Sequence, residues 1–271
     1  MRLCRNRVAL VSLILLAGIL LLTACSEWIA PYGYDQRDLL HTFSNPSLSH
    51  PFGTDNLGRD ILSRVLVGGK ISLLVAFSAV ALAAAVGSLL GAAAGYFGGK
   101  VEFLILKCND ILMAIPAFLM AITISSALGT GVMNTALAVG ITNIPRFVRL
   151  MRAETLSVKG KEYMDAARAC GASDARIIFR HVFPNALSST LVNVTLGISN
   201  AILQISGLSF VGLGVRPPTP EWGSILAIGR TYMRDCWPMV TFPGLAIVVT
   251  LILFNLVGDG LRDAMDPKLK R

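Results

Sequence analysis

The sequence predicts an all-α fold: a polytopic membrane protein with six transmembrane helices. Two observations carry that fold class. Of the 271 residues 54% are hydrophobic and only 15% charged, and the apolar residues gather into runs instead of recurring at amphipathic spacing. A run of about 20 residues rising ~1.5 Å each crosses a hydrocarbon layer of ~30 Å. Lipid leaves the backbone no outside hydrogen-bond partner and the runs lack the alternation of barrel strands, so each reads as a helix.

The first run covers residues 8–24. Arg2, Arg5 and Arg7 precede it and Leu22-Thr23-Ala24-Cys25 closes it, a pattern that imitates a lipoprotein signal. Five further runs make an uncleaved membrane anchor the expected reading. Residues 27–70 are rich in turn formers, with Pro31, Pro46 and Pro51 preventing a long helix. Thr54 or Asp55 is placed to cap a short surface helix with Leu57, Ile61, Leu62 and Val65 on its apolar side and Arg59, Asp60 and Arg64 near the other. The second run, 71–96, carries Gly87, Gly91 and Gly95 at four-residue intervals, continued by Ala79 and Ala83. Such a stripe lets two backbones approach, and its role is packing.

The third run, 103–128, holds Asp110 near one end and Pro116, which predicts a kink; the fourth covers 132–148. On the fifth, 187–213, Asn193, Gly197, Asn200 and Gln204 share one helical face. Amides are costly in lipid, so this face either lines a translocation path or binds a neighbouring helix by hydrogen bonds. The sixth run is 239–257. The chain thus divides into 1–70, an N-terminal helix with an extracytoplasmic segment, a core at 71–258 and a tail at 259–271.

Most of the 24 Lys and Arg residues fall at positions 2–7, 100–107, 146–180 and 262–271. The positive-inside bias then puts both termini in the cytoplasm. A net charge of +8 reads as topology and attraction to anionic headgroups, since no basic patch is interleaved with stacking aromatics. The five cysteines form no CxxC pair, His41, His50 and His181 are scattered and read as solvated, and no HExxH occurs. Neither a metal site nor a catalytic constellation is expected.

Between the fourth and fifth runs lies a charged hairpin at 159–184. Residues 159–170 read as a helix with Tyr163, Ala166, Ala167 and Cys170 on one face, Gly171 supplies a left-handed stop, Ser173 or Asp174 caps the next helix, and Pro184 closes the motif. Ala166 and Ala167 leave a shallow surface onto which another protein can close. A water-facing hairpin on a membrane protein calls for a partner.

The element Asp165-Ala166-Ala167, then Gly171, then His181-Val182-Phe183-Pro184 resembles the cytoplasmic loop of the permease subunits of ABC importers, with Asp165 in place of the usual Glu and Phe183 in place of Leu. The outer stretch from His50 through Asp55 to Arg64, the run from Leu208 to Gly214, Pro217 to Gly223, and Asn255 to Asp263 with Asp266-Pro267 are similar to the dipeptide, oligopeptide and nickel branch, in its second or C-type permease. That resemblance implies a type I importer permease fold in the cell inner membrane. Its partners would be a second permease, two ATPases that hold ATP and Mg, and an extracytoplasmic binding protein. Tyr163, Asp165, Ala166, Ala167, Gly171 and Pro184 would couple to the ATPases, while Asn193, Asn200 and Gln204 are the candidates for the path. No GxxxxGK[ST] occurs, which agrees with ATP chemistry in a partner. Short peptides are the first expected substrate, and nickel or a nickel chelate the second. A stand-alone channel or secondary carrier would need an intramembrane carboxylate or an inverted repeat, and the sequence displays neither.

Overall fold

A computed structural model describes residues 7–265. Arg2, Cys4, Arg5, Asp266-Pro267 and the remainder of the predicted tail lie outside the described residues. The helices in chain order are α1 (Arg7–Ala24), α2 (Ser26–Ile29), α3 (Ile61–Phe97), α4 (Gly99–Ala114), α5 (Ala117–Leu128), α6 (Val132–Lys159), α7 (Glu162–Ala169), α8 (Asp174–Ile177), α9 (Phe183–Phe210), α10 (Trp222–Thr231) and α11 (Pro238–Met265). Among the described residues the only β pairing is an isolated bridge between Thr54 and Asp60.

Among the described residues four helical stretches are long and apolar enough to cross a membrane: α1, α3, Asp174–Phe210 and α11. They become five if α4 and α5, bent by 91°, count as one broken span. The difference from the six expected spans has two local causes. At Pro116 the anticipated kink is a full break, because the residue before proline is pushed out of the helical region and Ile115 is extended, with ψ 130°. The run at 132–148 belongs to α6, whose Asn134, Asn143, Arg146 and Arg149 dilute its apolar character. Its apolar residues Val139, Phe147 and Met151 are instead buried in the bundle.

Their burial is made possible by the glycine stripe. A Cβ at Gly87 would lie 2.6 Å from Phe147 Cβ, and one at Gly95 would lie 2.7 Å from Thr155 Cβ. At Gly91 it would meet the Val148 carbonyl oxygen closer still. Gly140 of α6 returns the fit, with room for no side chain beside Leu82 and the Ala79 carbonyl. The two backbones therefore run in contact over the C-terminal half of α3.

At its other end α3 is capped by Asp60, which accepts hydrogen bonds from Ser63 N and Oγ, both at 2.7 Å. The separate surface helix expected from Thr54 or Asp55 does not form, and Arg59, Asp60 and Arg64 turn inward and are buried together with Asp55. Asp55 accepts from Arg59 Nε at 2.7 Å and from the backbone of Leu57 and Arg59, and Arg64 Nε lies 3.6 Å away. His50 is not solvated: its Nδ1 lies 3.0 Å from Asp60 Oδ1 and its ring stacks on Tyr32. Charges taken out of water must be paired, and the loop folds back to pair them.

The helix α10 locks onto this end. The Glu221 carboxylate is fully buried and accepts from Ser72 Oγ, Gly223 N and Ser224 N at 2.9–3.0 Å, while Trp222 Nε1 donates to the Val65 carbonyl.

The stripe gives a direct test of this packing. Gly91→Ala should destabilise the protein by about 1–3 kcal/mol through overpacking, whereas Gly18→Ala, where a Cβ meets nothing within 4 Å, should leave thermal unfolding in detergent unchanged.

Candidate functional site

The hairpin folds as its local chemistry requires. Helix α7 ends at Gly171, whose φ of +77° suits glycine, and nothing lies within 4 Å of where a Cβ would sit. The glycine is thus required by backbone conformation rather than by space. Gly171 N donates to the Arg168 carbonyl and Ala172 N to that of Ala167, closing the helix end. Ser173 accepts from Arg176 N and opens α8.

Pro184 does not close the motif before the fifth span, as its place in the sequence suggests. A π turn at Ile178–Val182 joins α8 to α9 without a break, and Pro184 sits in the first turn of α9. There Phe183 N reaches the Ile178 carbonyl, five residues back. The wider turn accommodates a proline that lacks a donor and would crowd the carbonyl four residues before it.

Met164, Ile177 and Val182 are completely buried, and they pack on Tyr96 at the end of α3 and Val158 at the end of α6. A phenol, a carboxylate and a guanidinium lock that seat: Tyr96 OH donates to Asp174 Oδ1 at 2.7 Å, Arg168 lies over the Tyr96 ring, and Arg168 pairs with Asp165 at 2.9 Å. Of the residues expected to couple, Tyr163, Asp165, Ala166, Gly171 and Pro184 are exposed, and Ala167 is half-buried against the seat. Met164 and Tyr96 were not singled out by the sequence, and Asp174 only as a candidate helix cap. Met164 was visible as the one large aliphatic side chain in a charged helix, but nothing near Tyr96 in the chain points to a hairpin far downstream.

The three candidate path residues do not meet in one cavity. Asn193 Oδ1 accepts from Arg146 Nη2 at 3.0 Å, at the wall of a cavity of about 530 Å³ between α6, α9 and α11. Gln204 Oε1 accepts from Thr142 Oγ1 at 3.3 Å, and Asn200 is exposed, its amide bonded to the Leu196 carbonyl. Two of the three amides therefore bridge α9 to α6. Among the described residues no group of three or more His, Cys, Asp or Glu side chains could hold a metal ion.

Residues 87–271 match the family described as the binding-protein-dependent transport system inner membrane component. The chain belongs to that family. Residues 1–48 additionally match the N-terminal membrane domain of oligopeptide transport permease C. The chain is 44% identical to the glutathione transport system permease protein GsiD of Escherichia coli, over 98% of this chain and 88% of that one. It is 40% identical to the dipeptide transport system permease protein DppC of Alkalihalophilus pseudofirmus, again over 98% and 88%. The resemblance carried by the hairpin, the outer motif and the C-terminal motif thus holds across the chain. The protein is a multi-pass permease component of an ABC importer, of the C type. ATP hydrolysis lies in a partner ATPase, a binding protein is the other implied partner, and permeases of this family carry no cofactor.

Because the hairpin is held by a small apolar seat, truncating its anchor should free it. Met164→Ala should cost about 2–5 kcal/mol of local stability. Amide hydrogen exchange should then accelerate across Glu162–Ala169 while the contact between α3 and α6 keeps its protection.

Proposed function

We propose that this permease forms the translocation path for short peptides, paired with a second permease and driven by two cytoplasmic ATPases that grip its hairpin. The observation that carries the reading is the seated hairpin with its outward face free. Tyr163, Asp165, Ala166, Gly171 and Pro184 are exposed on an element whose inner side is fixed to the ends of α3 and α6. An ATPase that closes on ATP can push on such an element and bias the spans between inward-open and outward-open arrangements. Dipeptides and glutathione, the solutes in the names of the two relatives, are both peptides, which supports that substrate class.

Counting the broken pair α4 and α5 as one crossing and α6 as another gives six spans. Helix α6 is 28 residues long, about 42 Å, and its burial against α3 spares it the need for an apolar surface all round. An even number of crossings puts both termini on one side, and the basic residues of 146–180 and the described C-terminal Arg262 favour the cytoplasm. On this reading Asn193, Asn200 and Gln204 mark the side of α9 that borders the path.

The test is ATP-dependent uptake of a radiolabelled dipeptide by the reconstituted complex. Gly171→Pro and Asp165→Arg should each abolish uptake while the permease still inserts. Normal uptake by both variants removes the coupling role, and uptake of nickel but of no peptide removes the substrate assignment.

A further inference from the structure

The coupling role of the hairpin leaves the cavity of about 530 Å³ between α6, α9 and α11 without a use. Its volume falls in the ~300–1,000 Å³ range of small-molecule sites. It lies at the hairpin end of the bundle, since Glu154 in its wall is five residues from the end of α6 and Ser188 and Ser189 are within two turns of the start of α9. Asn193, already placed on the side of α9 that borders the path, is part of the same wall.

Three charged side chains line this cavity, Arg146 and Glu154 from α6 and Arg262 from α11. Among the described residues none of the three belongs to an ion pair, although α6 pairs both its other arginines, Arg149 with Asp110 and Arg152 with Glu102. Arg146 is half-buried and is held through Nη2 alone on Asn193 Oδ1, which leaves Nε and Nη1 without a partner. Glu154 is half-buried too, and among the described residues its carboxylate accepts no hydrogen bond. Charges of both signs, partly withdrawn from water and unpaired, fit a ligand that carries both signs itself.

The spacing selects among such ligands. Arg146 and Glu154 are eight positions apart, ~12 Å along α6. An extended chain covers ~3.5 Å per residue, so a peptide of two to four residues spans that distance and a free amino acid does not. A guanidinium binds a terminal carboxylate through two parallel hydrogen bonds, and a carboxylate accepts from a terminal ammonium. Leu150, Val192 and Leu196 supply apolar wall for side chains.

We propose that this cavity is an inner subsite for short zwitterionic peptides, in which Arg146 and Arg262 hold the terminal carboxylate and Glu154 the terminal ammonium. It rests on the peptide reading above and adds what makes the permease itself recognise both ends of its cargo.

The test is equilibrium binding of radiolabelled trialanine to the purified complex, without nucleotide and without binding protein. Loss of one charge-assisted contact predicts that Glu154→Gln and Arg262→Gln each weaken trialanine by about tenfold or more. N-acetyl-trialanine has no ammonium, so Glu154→Gln should leave its affinity unchanged, whereas Arg262→Gln should still weaken it. Trialanine amide should show the reverse. Equal losses for all three peptides in both variants overturn the subsite, because the substitutions would then act through structure. Loss of the ATPases on purification of both variants overturns it as well, since the rim would be part of their dock. So does competition by glycerophosphoethanolamine as strong as that by unlabelled trialanine, which would make the cavity a lipid-headgroup site. A complex that takes up trialanine but binds none here loses the subsite and keeps the peptide reading. One that turns over ATP with its binding protein and takes up no peptide loses the peptide reading itself.

Discussion

Backbone contact between α3 and α6 is the constraint on which the rest of this permease depends. In lipid, helices gain little by hiding apolar surface from one another, so association must come from close packing and interhelical hydrogen bonds. The glycines at 87, 91 and 95 remove the side chains that would hold the helices apart. Once the helices are in register, Glu102 pairs with Arg152 and Asp110 with Arg149, tying α4 to α6 at the same end. The two helix ends so aligned bring Tyr96 and Val158 side by side, and these are the floor on which the hairpin sits. Without that register there is no seat.

The far end of α3 is held by a different kind of force. Asp55, Arg59, Asp60 and Arg64 are all buried, and desolvating such groups costs several kcal/mol per ion before pairing returns it. Paired burial of this kind adds little net stability, but a wrong arrangement of the loop would strand a charge, so it selects one conformation. The Glu221 carboxylate, with three donors around it, fixes α10 by the same logic. One end of α3 is therefore pinned by charge-assisted hydrogen bonds and the other by a small apolar cluster.

How far the sequence foretold this depends on whether the signal was local. The hairpin's stop at Gly171 and its cap follow from backbone preferences within a few residues, and the glycine stripe from spacing along one helix; all three were legible, although the cap, Ser173, was narrowed only to Ser173 or Asp174. What was not legible depends on residues far apart in the chain. Arg59 and Arg64 read as a polar face because the carboxylate and the carbonyl that receive them, Asp55 and Tyr34, become a pocket only when the loop folds back. Pro184 read as a terminator because proline ends helices, whereas a π turn just ahead of it lets the helix continue. The all-α class came through as long apolar runs, and the family as motif. The number of crossings did not, because α6 is polar where it is least exposed to lipid and Pro116 turns a kink into a break.

The continuity past Pro184 has a mechanical consequence. Helix α8, the π turn and α9 form one stretch of 37 residues, about 55 Å long. Had the proline ended a helix, a displacement of the hairpin would be absorbed in a flexible joint. An unbroken helix instead carries it as a tilt, and ~5° over ~40 Å moves the far end by ~3.5 Å. That far end is the Ser209–Phe210 end of α9, opposite the hairpin. The π turn is the weakest point of the rod, since its hydrogen bonds span five residues and are less favourable than those of an α-helix. It lies immediately beside Val182 and Ile177, which are clamped in the hairpin seat. The seat therefore braces the rod where it would otherwise bend, and the apolar cluster that holds the hairpin in place would also carry any displacement of the hairpin to the opposite end of the bundle.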